Sequence, residues 1–293
     1  MKKSYLKYLL GLILFGSNGV VASLIDLPSD VVVFLRSALG GLLLIALFFL
    51  TGNRPTFRQH RRDYLCLAIS GLAMAADWLF LFEAYDQIGV SLSILINYTG
   101  PAIVIALSPL VFKEKITPSK ALALAAALAG ACLICGQMAF SGWNVWGLFC
   151  AVMSAVSYAV MVLSDKKATE VSGMENATVQ LAVTAIVVAI FVALNEGFSW
   201  SVAQSDWLPV LWLGLINTGL GCFLYFSSIG QLPAQSVAVC GYIEPLSGVL
   251  FSALFLRETL TPLQILGAVL ILGGAVFGET GGKIRHEGRR KAS

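Results

Sequence analysis

Three ionisable side chains stand where an apolar chain should hold none. Arg36, Asp77 and Glu244 each lie inside a long run of apolar residues. A charge in lipid is costly, so such a group usually faces a cavity, a partner or a transport path. Arg36 and Asp77 fall at nearly equal depth in neighbouring runs. They read either as an ion pair between adjacent helices or as a gate that takes the carboxylate and amine of a substrate. Glu244 has no cation beside it in sequence. A mid-span carboxyl can alternate between a protonated and a paired state, and so could couple export to proton entry. Asn18, Asn97, Tyr98, Tyr158, Tyr225 and Tyr242 add amide and hydroxyl groups at candidate cavity positions, and Trp78 adds an aromatic wall. Charge beside aromatic surface favours an amino-acid-like substrate. Trp78, Phe82 and Tyr85 also form one stripe at helical spacing, whose ordinary reading is packing against neighbours or lipid.

Several chemistries find no support in the chain. The two histidines, His60 and His286, lie outside the apolar runs, and there is no H-E-x-x-H and no Gly-rich phosphate loop. No Asp pair sits at matching depth. No metal, no cofactor and no intramembrane enzyme is expected. The six cysteines all fall within apolar runs, and Cys132-Leu-Ile-Cys135 reads as small packing residues rather than a redox pair.

The elements that must hold these residues follow from composition. Of 293 residues, 58% are apolar and 12% are charged, about half the charge of an ordinary soluble domain. The apolar runs have the length that crosses a bilayer. Ten spans are expected, at about 4–24, 30–51, 63–85, 91–112, 118–139, 143–164, 176–195, 206–229, 235–256 and 262–281. With the N-terminus in the cytoplasm, 17 of the 19 basic residues fall on the inner side. The bias of Lys and Arg toward cytoplasmic loops therefore predicts that both termini are cytoplasmic. The net charge of +3 marks topology, not nucleic acid.

The chain repeats itself at a shift of 144 residues. Tyr98 and Pro101 recur as Tyr242 and Pro245, Lys113-Glu114 as Arg257-Glu258, Thr117-Pro118 as Thr261-Pro262, and Gly130 as Gly274. Residues 1–140 and 141–282 then form two five-span copies, followed by a basic tail at 283–293. An odd number of spans forces the second copy to enter from the opposite side, so the repeats are inverted. Inverted repeats recur in secondary transporters, where broken helices meet near the midplane.

Pro101 and Pro245 each remove a helical hydrogen bond and push away a carbonyl. In a bilayer, such a break is tolerated only inside protein or beside a wet cavity. Asn97, Gly100, Val104 and Ser108, with their mates Gly241, Glu244, Gly248 and Ser252, trace one small or polar stripe on each broken helix. Close packing accounts for the glycines, and Glu244 points to a pathway. Thr117 and Thr261 suit helix N-caps, with Pro next in the first position. Gly274 and Gly278 suit a small-residue contact, either with the fifth span or with a second protomer.

Phe15-Gly-Ser-Asn18, Phe34-Leu-Arg36, Ala155-Val-Ser-Tyr-Ala159, Tyr242-Ile-Glu-Pro245 and Glu258-Thr-Leu-Thr-Pro262 resemble motifs of the drug/metabolite transporter superfamily, in its two-repeat EamA-type branch. The resemblance spans about residues 5–280. It implies an all-α membrane protein of ten transmembrane helices, a central cavity, and outward transport of small organic metabolites across a bacterial inner membrane. Glutamate before this proline is common in the family, which leaves a shared structural role for Glu244 open. The expected partners are a small-molecule substrate and the bilayer, with no nucleic acid, in a monomer or homodimer. A lipid-carrier flippase or a drug or nucleobase exporter is the alternative on the same fold.

Overall fold

The computed structural model describes residues 2–88, 93, 96–113, 116–135, 144–195, 197, 200–255, 261–263, 265–274 and 277. The described elements are helical throughout. They are α1 (Lys2–Gly16), α2 (Asn18–Ala22), α3 (Ser29–Leu50), α4 (Arg61–Ile88), α5 (Gly100–Phe112), α6 (Pro118–Cys135), α7 (Val145–Lys167) and α8 (Gly173–Asn195). α9 (Trp207–Leu211), a π-helical stretch (Trp212–Leu220) and α10 (Gly221–Ile229) follow as one rod. α11 (Ala234–Gly241), α12 (Ile243–Phe255) and α13 (Ile265–Gly274) complete the described chain. Seven of these rods are long and apolar enough to cross a membrane, and α5 and α13 are shorter apolar helices. Leucine, isoleucine and phenylalanine on their outer faces stay exposed, among them Leu42, Leu50, Leu110, Ile186, Leu194 and Leu254. That surface suits lipid, not water.

Small residues decide how closely the rods approach. A Cβ on Gly40 would lie 2.9 Å from the Gly214 carbonyl and 3.0 Å from the Gly219 amide. α3 and the π-helical stretch therefore meet backbone to backbone. Within that stretch Thr218 donates to the Leu213 carbonyl five residues back, at 2.8 Å, which matches the wider π turn. α4 packs along α7 and α8, α3 along α8, and α1 along α10 and α12.

Equivalent positions of the 144-residue shift meet one another. The Tyr242 hydroxyl donates to the Tyr98 carbonyl at 2.7 Å, and the two rings lie 6.2 Å apart. A Cβ on Gly130 would meet the Gly267 carbonyl and Ile271, while one on Gly274 would meet the Ala123 carbonyl and lie near Ala127. Ala123 and Ala127 are the mates of Gly267 and Ile271. The contact between α6 and α13 is thus reciprocal. Gly274 packs within the chain, as one of the two expected arrangements required; Gly278 lies outside the described residues.

One end of the bundle is tightly sealed. Ser4 donates to Gln231 at 2.6 Å, Tyr8 to the Val237 carbonyl at 2.9 Å, Gln235 to Ser108 at 3.3 Å and Lys120 to Ser236 at 2.6 Å. Lys166 donates to the Leu232 carbonyl and sits over the Phe112 ring. Beneath these contacts Tyr8, Leu12, Val104, Ile229, Ala234 and Val237 are fully or almost fully buried. We call this the basic end. As expected, Thr117 caps α6, its hydroxyl accepting from the Lys120 amide at 3.3 Å. The matched pairs at 114 and 257–258 and the tail at 283–293 lie outside the described residues.

Candidate functional site

Four helices are interrupted around one interior region. α1 stops at Gly16 and resumes as α2 at Asn18, and α11 stops at Gly241 and resumes as α12 at Ile243. Residues 96–97 are helical, Tyr98 and Thr99 turn, and α5 begins at Gly100. The fourth interruption is the π-helical stretch. Both matched breaks therefore fall at tyrosines, three residues ahead of Pro101 and Pro245. The prolines then sit in the first turn of α5 and α12, where a missing N–H costs no helical bond.

At the break in α1 the Leu14 carbonyl accepts from the Ser17 amide at 3.1 Å and the Ser17 hydroxyl at 2.7 Å, and Asn217 from the π-helical stretch reaches the same turn. Asn217 Nδ2 lies 3.2 Å from that carbonyl, 2.8 Å from Ser17 Oγ and 2.9 Å from Asn18 Oδ1. The break near Asn97 is held differently. Asn97 donates to Asp77 at 2.9 Å and approaches Ser154 Oγ at 2.6 Å, and Ser154 donates to the same Asp77 oxygen at 2.6 Å. Asp77 thus ties α4, α7 and the residue before the turn into one polar knot. Tyr158 lies between the two broken helices. Its ring would be met by a Cβ on Gly100 and its hydroxyl by one on Gly241, and that hydroxyl is 3.5 Å from the Tyr225 hydroxyl. The glycines of the two stripes are close-packing sites, as the simpler reading of them holds.

Arg36 and Asp77 do not pair. The Arg36 guanidinium lies 4.5 Å over the Trp78 ring and donates through Nε to Thr218 at 3.0 Å. The reason is geometric: Asp77 turns toward α7 and the break at Tyr98, while Arg36 turns along α3 toward the π-helical stretch. Trp78 packs with Phe34, Phe82 and Val187 around Val33, Ala75 and Val188, and Phe82 meets Tyr85 edge-on at 5.2 Å. Its indole therefore serves both packing and the cation.

Glu244 is half-buried in the interior. No described side chain hydrogen-bonds its carboxylate, and the charges that act on it are Asp77 and Arg36. A carboxylate on which one guanidinium and one further carboxyl act, in an interior where Asn18, Trp78, Asn97 and Tyr158 are partly accessible, can bind a small molecule bearing both an ammonium and an acid group. Tyr225 and Tyr242 stand behind this region, 3% and 0% exposed, and shape the wall rather than line it. Ser154, Asn217 and Thr218 were not singled out from sequence. Their only signal was polarity inside apolar runs. Among the described residues no group of three or more His, Cys, Asp or Glu could hold a metal.

An all-helical bundle with seven membrane-length apolar rods, enclosing a charged interior region at broken helices, is a multi-pass membrane protein of transporter type. Two comparisons agree. The chain matches the model of the EamA-like transporter family twice, over residues 2–136 and 145–278. It belongs to that family. It is 24% identical over 272 residues to "Uncharacterized transporter YxxF" of Bacillus subtilis, covering 92% of this chain and 87% of that protein. It is 24% identical to "Uncharacterized inner membrane transporter YicL" of Salmonella typhimurium, covering 94% and 95%. It is also 24% identical to "Threonine/homoserine exporter RhtA" of Escherichia coli, covering 83% and 79%. A solved crystal structure of another protein superposes with a TM-score of 0.82 at 21% identity, covering 94% of this chain and 98% of that one. That likeness concerns the fold. The family and the relatives' names point to a transporter rather than an enzyme.

Proposed function

We propose that the chain is a secondary transporter that exports amino acids or amino-acid-like compounds across the bacterial inner membrane by alternating access. The observation that carries this reading is Glu244, half-buried, without a hydrogen-bonding side chain and under the electrostatic influence of Arg36, at the meeting point of the broken helices. A zwitterion satisfies both: its ammonium goes to Glu244, its carboxylate to Arg36. Aromatic surface at Trp78 and Tyr158 takes the side chain. An exporter of threonine and homoserine among the relatives supports the same class.

The architecture of this reading is ten helices in two inverted five-helix repeats, residues 1–140 and 141–282, with both termini in the cytoplasm. The reciprocal contacts of Gly130 with Gly267 and of Gly274 with Ala123, and the Tyr98–Tyr242 contact, support it. A two-fold relation brings equivalent residues together at its axis, and an in-plane axis relates inverted repeats. The basic end is then the cytoplasmic gate, closed in this conformation. Arg36 and Glu244 act together as the substrate's charge contacts, and Asp77 positions the break at Tyr98.

The test is counterflow in proteoliposomes preloaded with threonine, homoserine and a wider amino-acid panel, for the wild type and Glu244→Gln. Saturable counterflow of one or more amino acids, lost in the variant, is the expected result. Absence of counterflow with every amino acid, under conditions where a nucleobase, drug or lipid carrier moves, overturns the substrate class.

A further inference from the structure

A fully buried acid lies far from Glu244 in the sequence and plays no part in that site. Asp165, near the basic end of α7, is 0% exposed. Its Oδ1 accepts from Asn176 Nδ2 at 2.8 Å and Gln180 Nε2 at 2.7 Å, both on α8. Ser70 on α4 donates to Gln180 Oε1 and lies 2.9 Å from the Met161 carbonyl, which orients the Gln180 amide toward Asp165. α4 and α8 are pressed together here, for a Cβ on Gly71 would lie 2.6 Å from the Gln180 carbonyl. Asn176 and Gln180 are themselves 3% and 0% exposed. In this closed cluster Asp165 Oδ2 is buried with no hydrogen-bond partner.

The charged groups around it are accounted for. On its own helix, Lys166 acts on it electrostatically, but the ammonium reaches the Leu232 carbonyl and the Phe112 ring. Lys167 is exposed. On α4, Asp63 accepts from the Glu170 and Val171 amides at 2.7 and 3.2 Å. On α8, Glu175 accepts from Thr56 and Tyr64. On α5 and α6, Lys113 is exposed and Lys120 donates to Ser236. None of these supplies a donor to Oδ2. An anionic oxygen left dry and unpaired is far more costly than a neutral hydroxyl in the same place. A neutral carboxyl fits the cluster: Oδ1 as the carbonyl oxygen takes both amides, and Oδ2 carries the proton.

We propose that Asp165 is a proton-binding latch of the basic end, distinct from the Glu244 region: with its proton bound it holds that end closed, and losing the proton opens it. The proposal rests on the alternating-access reading above. While Asp165 is neutral, it does not compete for Lys166, and Lys166 ties α7 to Leu232 and Phe112. When the proton leaves to water, the carboxylate draws Lys166 back and requires hydration, which the closed packing denies. Both effects favour opening. The closed state therefore binds one more proton than the open state, so closure dominates at low pH and is lost as pH rises.

The test uses the full chain in phospholipid nanodiscs, with the six native cysteines replaced and Ser236→Cys as a reporter at the sealed end. The rate of modification by a charged maleimide is followed against pH and divided at each pH by that of a small-molecule thiol, because the thiolate fraction itself rises with pH; the rates below are this ratio. One linked proton allows up to about a tenfold rise in the open fraction per pH unit. The expected result is a rising rate in the parent protein, and a low, pH-independent rate in Asp165→Asn, which copies the neutral acid. Lys166→Met leaves Asp165 in place and covers a folding failure of Asp165→Asn; it removes the tie to Leu232 but not the proton, and is expected to label faster than the parent at low pH. Infrared difference spectra of the parent should show a protonated carboxyl band that Asp165→Asn lacks. A pH response that persists in Asp165→Asn, a Lys166→Met variant that labels no faster than the parent at low pH, or a carboxyl band unchanged in Asp165→Asn, overturns the latch. Amino-acid counterflow by the parent reports separately on the substrate: a latch that responds to pH in a protein moving no amino acid supports this inference while overturning that class.

Discussion

Gly16 is the point at which the break in α1 touches the break at α12, and adding one methyl group there should be felt in both. A Cβ at this position would lie 2.7 Å from the Glu244 carbonyl and 2.8 Å from the Gly248 amide. Ordinary contact begins near 3.4 Å, so the shortfall is about 0.7 Å against backbone that cannot rotate away. Ser247 Oγ is also close, but a side chain can turn. Gly16→Ala must therefore push α12 from α1, at a cost of about 1–3 kcal/mol for an overpacked site. That is roughly a fivefold to hundredfold loss in the folded-to-unfolded ratio. Gly19, three residues on, has nothing within 4 Å of its Cβ position. Gly19→Ala is the matched control and should be near neutral. Reversible unfolding in mixed micelles, with tryptophan emission as the signal, reads both variants. Adding Ser247→Ala to Gly16→Ala should recover little, because the backbone clash remains. If Gly16→Ala is as stable as Gly19→Ala, or if Ser247→Ala restores it fully, the close approach of α1 and α12 is refuted. Since the displaced backbone carries Glu244, the same variant should also weaken transport more than it weakens stability.

Tyr242→Phe removes the hydrogen bond to the Tyr98 carbonyl and leaves that carbonyl without its donor; a loss of about 1–2 kcal/mol is expected in the same unfolding assay. Arg36→Lys keeps the charge but gives up the planar stack on Trp78 and the Nε bond to Thr218, so counterflow should fall about tenfold despite the conserved sign; wild-type transport by Arg36→Lys would refute the role of guanidinium geometry.

Much of the fold is legible in the chain because lipid leaves few choices. Runs of apolar residues must become helices, since every backbone group in hydrocarbon needs an internal partner. The rods at 29–50, 145–167 and 173–195 accordingly fall within a few residues of their expected places. The 144-residue shift pairs residues far apart in sequence; Tyr98 and its mate Tyr242 meet in space, and the mates Gly130/Gly274 and Ala123/Gly267 make reciprocal contacts, Gly130 with Gly267 and Gly274 with Ala123. The prolines marked the two breaks to within three residues. They did not mark the break at Ser17 or the π-helical stretch, neither of which contains a proline. Those two interruptions meet in space, because Asn217 of the π-helical stretch bonds the turn at Ser17.

The identity of the polar residues was also fixed by sequence, but their pairing was not. Arg36 and Asp77 share a depth, and depth alone suggests an ion pair. Which way a side chain turns depends on the rotation of its helix, and that is set by backbone approaches such as Gly40 on Gly214 and Gly71 on α8. These turn Arg36 to Trp78 and Thr218, and Asp77 to Asn97 and Ser154. Likewise Asp165 stands in the chain beside Lys166 and Lys167 at a helix end, an ordinary place for an acid. Only the packing of α4 and α8 over it shows a carboxyl with one oxygen dry and unpaired. The sequence by itself determined a membrane-spanning helical chain, its internal repeat and the residues too polar for lipid. Tertiary structure decided which of them meet, because helix rotation and close approach arise from contacts between segments that no local pattern records.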